Sequence, residues 1–452
     1  MASAAEQLAS NISLSSFGKA TELKKRIWFT VGALIVFRLL SHVPMPGIDP
    51  RAMAALFNTQ RGGVLDFFNT FSGGSLARMS IIALGVMPYI TASIVVQLGS
   101  TMYPPWMAYK KEGETGRKKL NQFTRYLTVV LTTVQGYFIA VGLEGLGGTQ
   151  GIAAVVEPGM AFRVAATVSL VGGTLFLMWI GEQITSRGIG NGVSLIIMAG
   201  IVASLPRGIA QLLEGGRTGT MDPLVIIAVI VLVVGLILFI CFMERAQRRV
   251  LIQYPKRQTA RGMQQERSHL PIKINTSGVI PPIFASSLLL MPLTVIQMAG
   301  ARQGGSSDFL ITLSTYLQHG SPIFMFLYGA GIVFFCFFYT AVQFNSEETA
   351  DNLKRHGGFI PGVRPGKATE GYFDYLLNRL TVIGAAYLLV ICLVPEILFS
   401  QAGIPFYLGG TSLLIVVNVT MDTVSQIQSH LIAHQYGDLI KKAKLKGGAK
   451  RR

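Results

Sequence analysis

The sequence predicts an all-α, polytopic membrane protein with ten transmembrane helices. Half of its 452 residues are hydrophobic and only 13% are charged, and the apolar residues are gathered in long runs. A helix needs roughly 20 apolar residues to cross the bilayer core, and these runs have that length. The 50 glycines are typical of helices that pack closely or are broken inside a membrane.

The predicted spans alternate with connections that differ in charge. With the N-terminus in the cytoplasm, 31 of the 39 Lys and Arg residues lie on the cytoplasmic side, seven lie outside, and Arg38 falls within the first span. Cytoplasmic loops collect Lys and Arg, so both termini are predicted to be cytoplasmic. The first 26 residues lack the apolar centre of a signal peptide. The spans are predicted at 27–43, 79–102, 122–144, 160–181, 192–213, 223–243, 277–298, 321–343, 376–395 and 408–428.

Composition and motifs exclude several classes of protein. The net charge of +17 could indicate a nucleic-acid partner, but its confinement to one face needs only the positive-inside rule. The three cysteines lie in apolar runs without paired spacing, so they predict no disulfide and no metal site. The segment 362–369 resembles a phosphate-binding loop, yet its glycine spacing is one residue short and Ala368 replaces the required hydroxyl. We therefore expect no cofactor, no metal and no enzymatic activity.

The span interiors are almost free of charge. Coupled transporters carry ions and protons on ionisable groups near the middle of the membrane, and Asp422 lies only toward the inner end of the last span. This pattern weakens the alternative of a secondary transporter with inverted repeats but does not exclude it.

A short apolar segment at 64–71 precedes Gly73 and Gly74. It is apolar enough to enter a membrane and too short to cross one. Backbone at membrane depth is tolerated only when it is buried in protein or faces a watery cavity. Two interpretations remain: an amphipathic helix on the outer surface, or a re-entrant half-helix that fills a cavity.

Several predicted spans are interrupted by Pro or Gly, and aliphatic residues flank the interruptions. Val86 and Ile90 are spaced i, i+4, so they share one helix face, and so do Val193 and Ile197. Such pairs usually face lipid or a core. If these faces converged with Ile283 and Ile415, which flank other breaks, they would form an apolar constriction that excludes ions by dewetting.

From Lys24 to Gly447 the chain resembles the SecY/Sec61-alpha family of protein translocase channels. Seven specific runs carry the resemblance in one order. They are Phe71–Gly74, Leu84–Ile90, Lys111–Arg117, Gly181–Thr185, Arg187–Gly192, Phe359–Gly366 and Gly409–Leu414.

The resemblance implies two inverted five-helix halves around a central pore, with a short re-entrant plug helix. It implies a first half at 27–213 that includes the plug at about 64–75, and a second half at 214–428 with cytoplasmic loops at about 244–276 and 344–375. Residues 1–26 and 429–452 would be cytoplasmic segments. Such a channel passes unfolded preproteins across the bacterial inner membrane and releases apolar segments sideways into it.

The resemblance also assigns residues to four sites. The pore ring would consist of Val86, Ile90, Val193, Ile197, Ile283 and Ile415. The plug would include Leu65, Phe67, Phe68, Phe71, Gly73 and Gly74. The lateral gate would include Thr91, Gln97, Ser287 and Met291. The docking site for cytoplasmic partners would be Arg248, Arg249, Lys256, Arg257, Arg261 and Arg364.

The long basic connection after the sixth span fits such a docking role. It carries eight basic residues, and its stretch 248–254 before Pro255 predicts a strand hairpin; the alternative is a solvated orientation signal. The implied partners are the SecE and SecG subunits, the SecA motor ATPase, ribosomes through phosphates of their RNA, nascent chains or preproteins, the lipid bilayer, and YidC and SecDF.

Overall fold

The computed structural model describes residues 21–50, 52–53, 69–146, 155–219, 222–254, 257–259, 262–264, 267–289, 321–402 and 409–448. These residues are mostly helical. The first part of the chain forms α1 (Thr21–Leu40), α2 (Met87–Met102), α3 (Pro104–Lys111), α4 (Glu114–Leu146), α5 (Met160–Arg187) and α6 (Gly192–Arg217).

The second part contains helices and two short pairs of strands. It forms α7 (Pro223–Arg245), β1 (Gln247–Gln253), β2 (Arg257–Thr259), β3 (Gly262–Gln264), β4 (Arg267–Lys273), α8 (Ile280–Leu289), α9 (Pro322–Gln343), α10 (Ser346–Arg355), α11 (Lys367–Ala402) and α12 (Gly410–Gly448).

Among the described residues, six helices are long and apolar enough to cross a membrane: α4, α5, α6, α7, α9 and α11. Their outer faces are apolar as well. On α7, for example, Leu224, Val231 and Phe242 are each at least 65% exposed. Water would penalise so large an exposed apolar surface, whereas lipid does not. The structure is therefore that of a polytopic membrane protein.

The second predicted span differs from the helix that forms. Hydropathy predicts a span at 79–102, but α2 begins only at Met87, after Val86 as its N-cap. Gly85 has a φ of +59°, which ends the preceding turns, and Pro88 lies in the first turn of α2, where a missing N–H costs no hydrogen bond. The predicted span 79–102 therefore contains a break, as its Pro and Gly interruptions indicated, and it is helical only from Met87 onward.

Smaller corrections concern the two ends of the helical bundle. The first helix runs over Thr21–Leu40 rather than 27–43, and the chain turns at Ser41, whose hydroxyl donates to the Arg38 carbonyl at 2.6 Å. The last helix extends to Gly448, well beyond the predicted 428. Hydropathy identifies only the part of a helix that lies in lipid, so it does not detect polar extensions of that helix.

One large apolar core joins both parts of the chain. It includes side chains from α1, α2, α5 and α6 and from α7, α8, α9, α11 and α12. The last helix, α12, packs against α1, α6, α7 and α11, so it lies at the junction between the two parts. Lipid is as apolar as these aliphatic side chains, so close van der Waals packing, and not transfer out of water, stabilises this junction.

The basic connection between α7 and α8 forms the predicted hairpin. β1 pairs with β4 in antiparallel register, and β2 pairs with β3 at the tip; the strand predicted at 248–254 is confirmed. Gln253 exchanges two backbone hydrogen bonds of 2.9 Å with Phe359 in the connection between α10 and α11. The two connections share a small core of their own, which contains Val250, Ile272, Ile360, Phe373, Leu377 and Leu380. We name residues 247–273 and 346–380 together the hairpin platform.

Phe373 is fully buried in the hairpin platform, so we expect Phe373→Ala to loosen both connections at once. Truncating a buried Phe costs about 3–5 kcal/mol. The expected result is faster cleavage of both connections by trypsin in native membranes. Tyr375→Ala is the matched control, since Tyr375 is 55% exposed. Equal cleavage of the two variants would show that the platform has no common core.

Candidate functional site

Six aliphatic side chains belong to the large apolar core or pack against it. Val86 caps α2 and Ile90 follows one turn later; Val193 and Ile197 lie at the start of α6. Ile90, Val86, Ile197 and Ile415 are buried, and Val193 and Ile283 are half-buried and pack against the same cluster. These are the six residues that the sequence analysis assigned to an apolar constriction, and their convergence on one constriction stays a prediction.

Local sequence explains why these side chains point inward. Asn191 caps α6, its side chain accepting from the backbone N–H groups of Val193 and Ser194 at 3.2 and 3.4 Å, so α6 begins where the aliphatic pair begins. Gly410 is packed so closely against Ile391 of α11 that a Cβ would clash. That close approach holds the start of α12, including Ile415, within the core.

A compact segment, which we name the glycine turn (residues 69–86), precedes α2 and is non-helical from Ser72 onward. Gly73 and Gly74 have φ values of +69° and +82°, in the left-handed region that favours glycine. Gly74 N donates to Asn69 O at 2.8 Å, and the Asn69 side chain accepts from Ala77 N at 2.9 Å. Phe71 lies in the large apolar core. The turn is therefore buried in protein with its backbone groups paired.

The glycine turn lies directly against α6. A Cβ added to Gly200 would lie 2.5 Å from the Phe71 carbonyl oxygen, and one added to Gly73 would lie 3.1 Å from Gly200 Cα. Only a glycine at position 200 allows the two backbones to approach so closely.

Two arginines bind one carbonyl of this turn. Arg38 Nη1 donates to Gly73 O at 2.8 Å and Arg78 Nη2 donates to the same oxygen at 3.2 Å. Burial lowers the pKa of Arg78 from its usual value, and the nearby positive charges of Arg207 and Arg38 lower it further. The site therefore concentrates positive charge at the glycine turn.

Of the residues assigned to the plug, Phe71, Gly73 and Gly74 belong to the glycine turn, whereas Leu65, Phe67 and Phe68 lie outside the described residues. Whether residues 64–71 form an outer amphipathic helix or a re-entrant half-helix therefore stays a prediction.

Three of the four residues assigned to the lateral gate, Thr91, Gln97 and Ser287, lie on α2 and α8. Thr91 donates to Met87 O at 3.1 Å and Gln97 donates to Ser93 Oγ at 3.4 Å, both within α2. Ser287 is buried, and its hydroxyl has no partner among the described residues. The structure thus gives no Gln97–Ser287 hydrogen bond; Met291 lies outside the described part of the chain.

The residues assigned to docking lie on the hairpin platform. Arg248 and Arg249 are exposed on β1, and Arg364 is exposed in a turn where Thr369 Oγ1 donates to the Arg364 carbonyl at 2.9 Å. Arg257 lies on β2. Lys256 and Arg261 fall outside the described residues.

Sequence reasoning missed a buried polar pair below this platform. Glu244 and Asn275 are 5% and 3% exposed, and Asn275 Nδ2 donates to Glu244 Oε1 at 2.7 Å. The one available signal was a Glu directly before Arg245 at the end of a very apolar run. Within the described ranges, no group of three or more His, Cys, Asp or Glu residues could hold a metal ion.

These features define a class: a polytopic membrane protein whose helices converge on a buried aliphatic cluster beside a buried non-helical turn. The chain matches the SecY family model over residues 80–424. It is 52% identical over 434 residues to the protein translocase subunit SecY of Escherichia coli K12, covering 96% of this chain and 97% of that one. It is also 52% identical to the SecY subunits of Vibrio cholerae (94% and 96% covered) and Rickettsia conorii (94% and 97%). The chain belongs to the SecY family.

Solved structures share the fold at low sequence identity. The structure of a protein-conducting channel matches with a TM-score of 0.64 at 18% identity, covering 90% of this chain and 92% of that chain. Sec61 in the canine ribosome–channel complex from the endoplasmic reticulum matches with a TM-score of 0.61 at 17% identity and the same coverage. The resemblance to the SecY/Sec61-alpha family is therefore confirmed, and the transporter alternative is not favoured.

Gly200 generates a prediction about the glycine turn. Gly200→Ala forces the Phe71 carbonyl away from α6, so we expect the turn to become accessible to solvent. The measurement is maleimide labelling of Ser72→Cys, a position that is buried in the protein. Gly208→Ala is the matched control on the same helix, because a Cβ at Gly208 meets nothing within 4 Å. Labelling that stays at the Gly208→Ala level would contradict the tight contact.

Proposed function

We propose that this chain is the central channel subunit of a protein translocase, through which unfolded polypeptides cross the membrane and apolar segments enter it. The observation that carries the proposal is 52% identity to protein translocase subunits along nearly the whole chain. In this role the chain is a channel and not an enzyme, so the work of translocation is supplied by a partner.

The proposed architecture has ten spans in two inverted halves, at 27–213 and 214–428. Six long apolar helices support it directly. The remaining four spans would be α1, which opens with charged residues, α2, which is short, α8, which is described over Ile280–Leu289, and the apolar first half of α12. Both termini would lie in the cytoplasm of a bacterium, because the basic residues are concentrated on that side.

The six aliphatic residues of the central cluster would form the pore ring. A channel for unfolded chains must admit every side chain and still leak few ions. Branched aliphatic side chains bind no passing group strongly, and a narrow apolar constriction excludes ions because water leaves it. The two valines, Val86 and Val193, would make this ring slightly looser than one of isoleucines alone.

The glycine turn and the preceding residues 64–68 would form the plug below the ring. The contact of Phe71 with the apolar core and the two arginine hydrogen bonds to Gly73 support a sealed resting position. The lateral gate would lie between α2 and α8, lined by Thr91, Gln97, Ser287 and Met291. Apolar signal segments would leave through it because lipid solvates them better than a wet pore does.

We expect Ile415→Asn to weaken the resting seal. A buried Ile contributes about 1.5–3 kcal/mol through apolar burial, and 1.4 kcal/mol corresponds to about tenfold in an equilibrium constant. Ion leakage through proteoliposomes should therefore rise about tenfold, and preproteins with defective signal sequences should be exported.

The control for this prediction is Val424→Asn on the same helix, at a side chain that is 46% exposed. Unchanged leakage and unchanged signal stringency in Ile415→Asn would refute the pore-ring assignment.

The hairpin platform would be the docking surface for cytoplasmic partners. Exposed Arg248, Arg249 and Arg364 can form charge-assisted hydrogen bonds with RNA phosphates or with carboxylates of a motor protein. Structural neighbours include channels in ribosome complexes, which supports a ribosome as one partner. SecE, SecG and SecA, with YidC and SecDF, complete the proposed set.

Arg364→Glu should impair export while the channel still inserts normally. Reversing the charge replaces attraction by repulsion at an exposed side chain. The measurement is the rate of preprotein export in cells that produce equal amounts of wild-type and variant chain. Lys118→Glu, an exposed position on α4 outside the hairpin platform, is the control. Normal export by the Arg364→Glu strain would remove Arg364 from the docking surface.

A further inference from the structure

A buried hydrogen-bond network lies where the hairpin platform meets α8. Glu244 is near the end of α7, and Asn275 lies between β4 and α8. Both side chains are buried, and the 2.7 Å bond from Asn275 Nδ2 to Glu244 Oε1 joins the end of α7 to the turn before α8, across the whole hairpin in sequence.

Both the nitrogen and the oxygen of the Asn275 side-chain amide form hydrogen bonds at this point. Its Nδ2 also donates to Gly278 O at 3.2 Å, and its Oδ1 accepts from Ser277 Oγ and from Gly278 N, each at 3.2 Å. Gly278 has a φ of +65°, so the chain turns sharply here. One side chain therefore fixes the turn that leads into α8 and ties this turn to α7.

Two further helices contact the same network. The Tyr387 hydroxyl of α11 donates to Glu244 Oε1 at 3.5 Å, and Ser277 Oγ lies 3.7 Å from Cys336 Sγ of α9. On α11, a Cβ added to Gly384 would lie 3.3 Å from the Ile274 carbonyl oxygen. The turn before α8 is therefore held against α7, α9 and α11 together.

On its other side the network is continuous with the hairpin platform. Ile274 N donates to Ala246 O at 3.2 Å, which extends the β1–β4 pairing to the residue before Asn275. A displacement of the hairpin therefore moves Asn275 directly, because no flexible linker separates them.

Breaking the Glu244–Asn275 bond would be costly. Glu244 has no ion-pair partner among the described residues; the neighbouring Lys273 pairs with Asp422 at 4.0 Å. A buried carboxyl group that loses its donors bears a large desolvation cost. This cost favours a turn before α8 that follows any displacement of the hairpin with the bond intact.

We propose that the Glu244–Asn275 hydrogen bond is the positioning joint through which docking on the hairpin platform sets the first turn of α8. The inference rests on the proposed function, in which α8 is one wall of the lateral gate. Glu244 and Asn275 are positioning residues: they contact neither the translocating chain nor the docked partner, and they act through α8.

The test compares Glu244→Gln with Glu244→Met in proteoliposomes that contain the full channel complex. Gln keeps an oxygen that accepts from Asn275, whereas Met has a similar length and no such acceptor. The probe is a ribosome that carries a nascent chain with a signal sequence. Ribosome affinity is measured by co-flotation, and chain insertion is measured by protease protection. Losing a buried hydrogen bond to a carboxyl group corresponds to a change of about tenfold or more.

We expect Glu244→Met to bind ribosomes like the wild type but to insert about tenfold fewer bound chains, and Glu244→Gln to behave like the wild type in both assays. Asn275→Ser, whose side chain is too short to reach Glu244, should repeat the Glu244→Met result. Thermal unfolding is recorded for every variant.

Each other outcome has a distinct meaning. Normal insertion by both Glu244→Met and Asn275→Ser would overturn the joint. Parallel loss of ribosome binding and thermal stability would assign the pair a purely structural role and also overturn it. A wild-type chain that binds ribosomes and inserts nothing would overturn the proposed function itself, and the joint with it.

Discussion

Backbone polar groups that are removed from water must find partners inside the protein, and the centre of this molecule depends on that constraint. From Ser72 onward the glycine turn is not helical, yet it is buried beside α6. Its amides and carbonyls are paired locally and by the side chains of Asn69, Arg38 and Arg78. Without these partners a non-helical segment could not lie at this depth. The buried glycine turn can therefore cover one side of the aliphatic cluster, so neither lipid nor a further helix is needed there.

The same bundle connects this centre to the hairpin platform. The aliphatic core includes residues of α8, and the turn before α8 is fixed by Asn275 at the base of the hairpin. The platform has a separate apolar core. The hairpin, the Glu244–Asn275 pair and the large apolar core are thus connected through the turn that leads into α8, although they are far apart in sequence.

The sequence predicted those parts of the structure that leave a periodic or local signal. The i, i+4 spacing of Val86 with Ile90 was visible, and so was the strand predicted at 248–254. Gly85 and Pro88 also indicated a break in the second span, but hydropathy, which is continuous across residues 79–86, did not give the start of α2. The Glu244–Asn275 pair could not be predicted either. Its members are 31 residues apart, and a single hydrogen bond between distant side chains has no sequence period.

The contact between Gly200 and the glycine turn has a mechanical consequence. Neither Gly73 nor Gly200 has a side chain, so no side chain interlocks between the two backbones at this point. Two closely packed backbones are held together by many weak dispersion contacts. A short displacement loses all of these contacts together. The close approach of the two backbones at Gly73 and Gly200, and not an interlocking of side chains, therefore determines this contact.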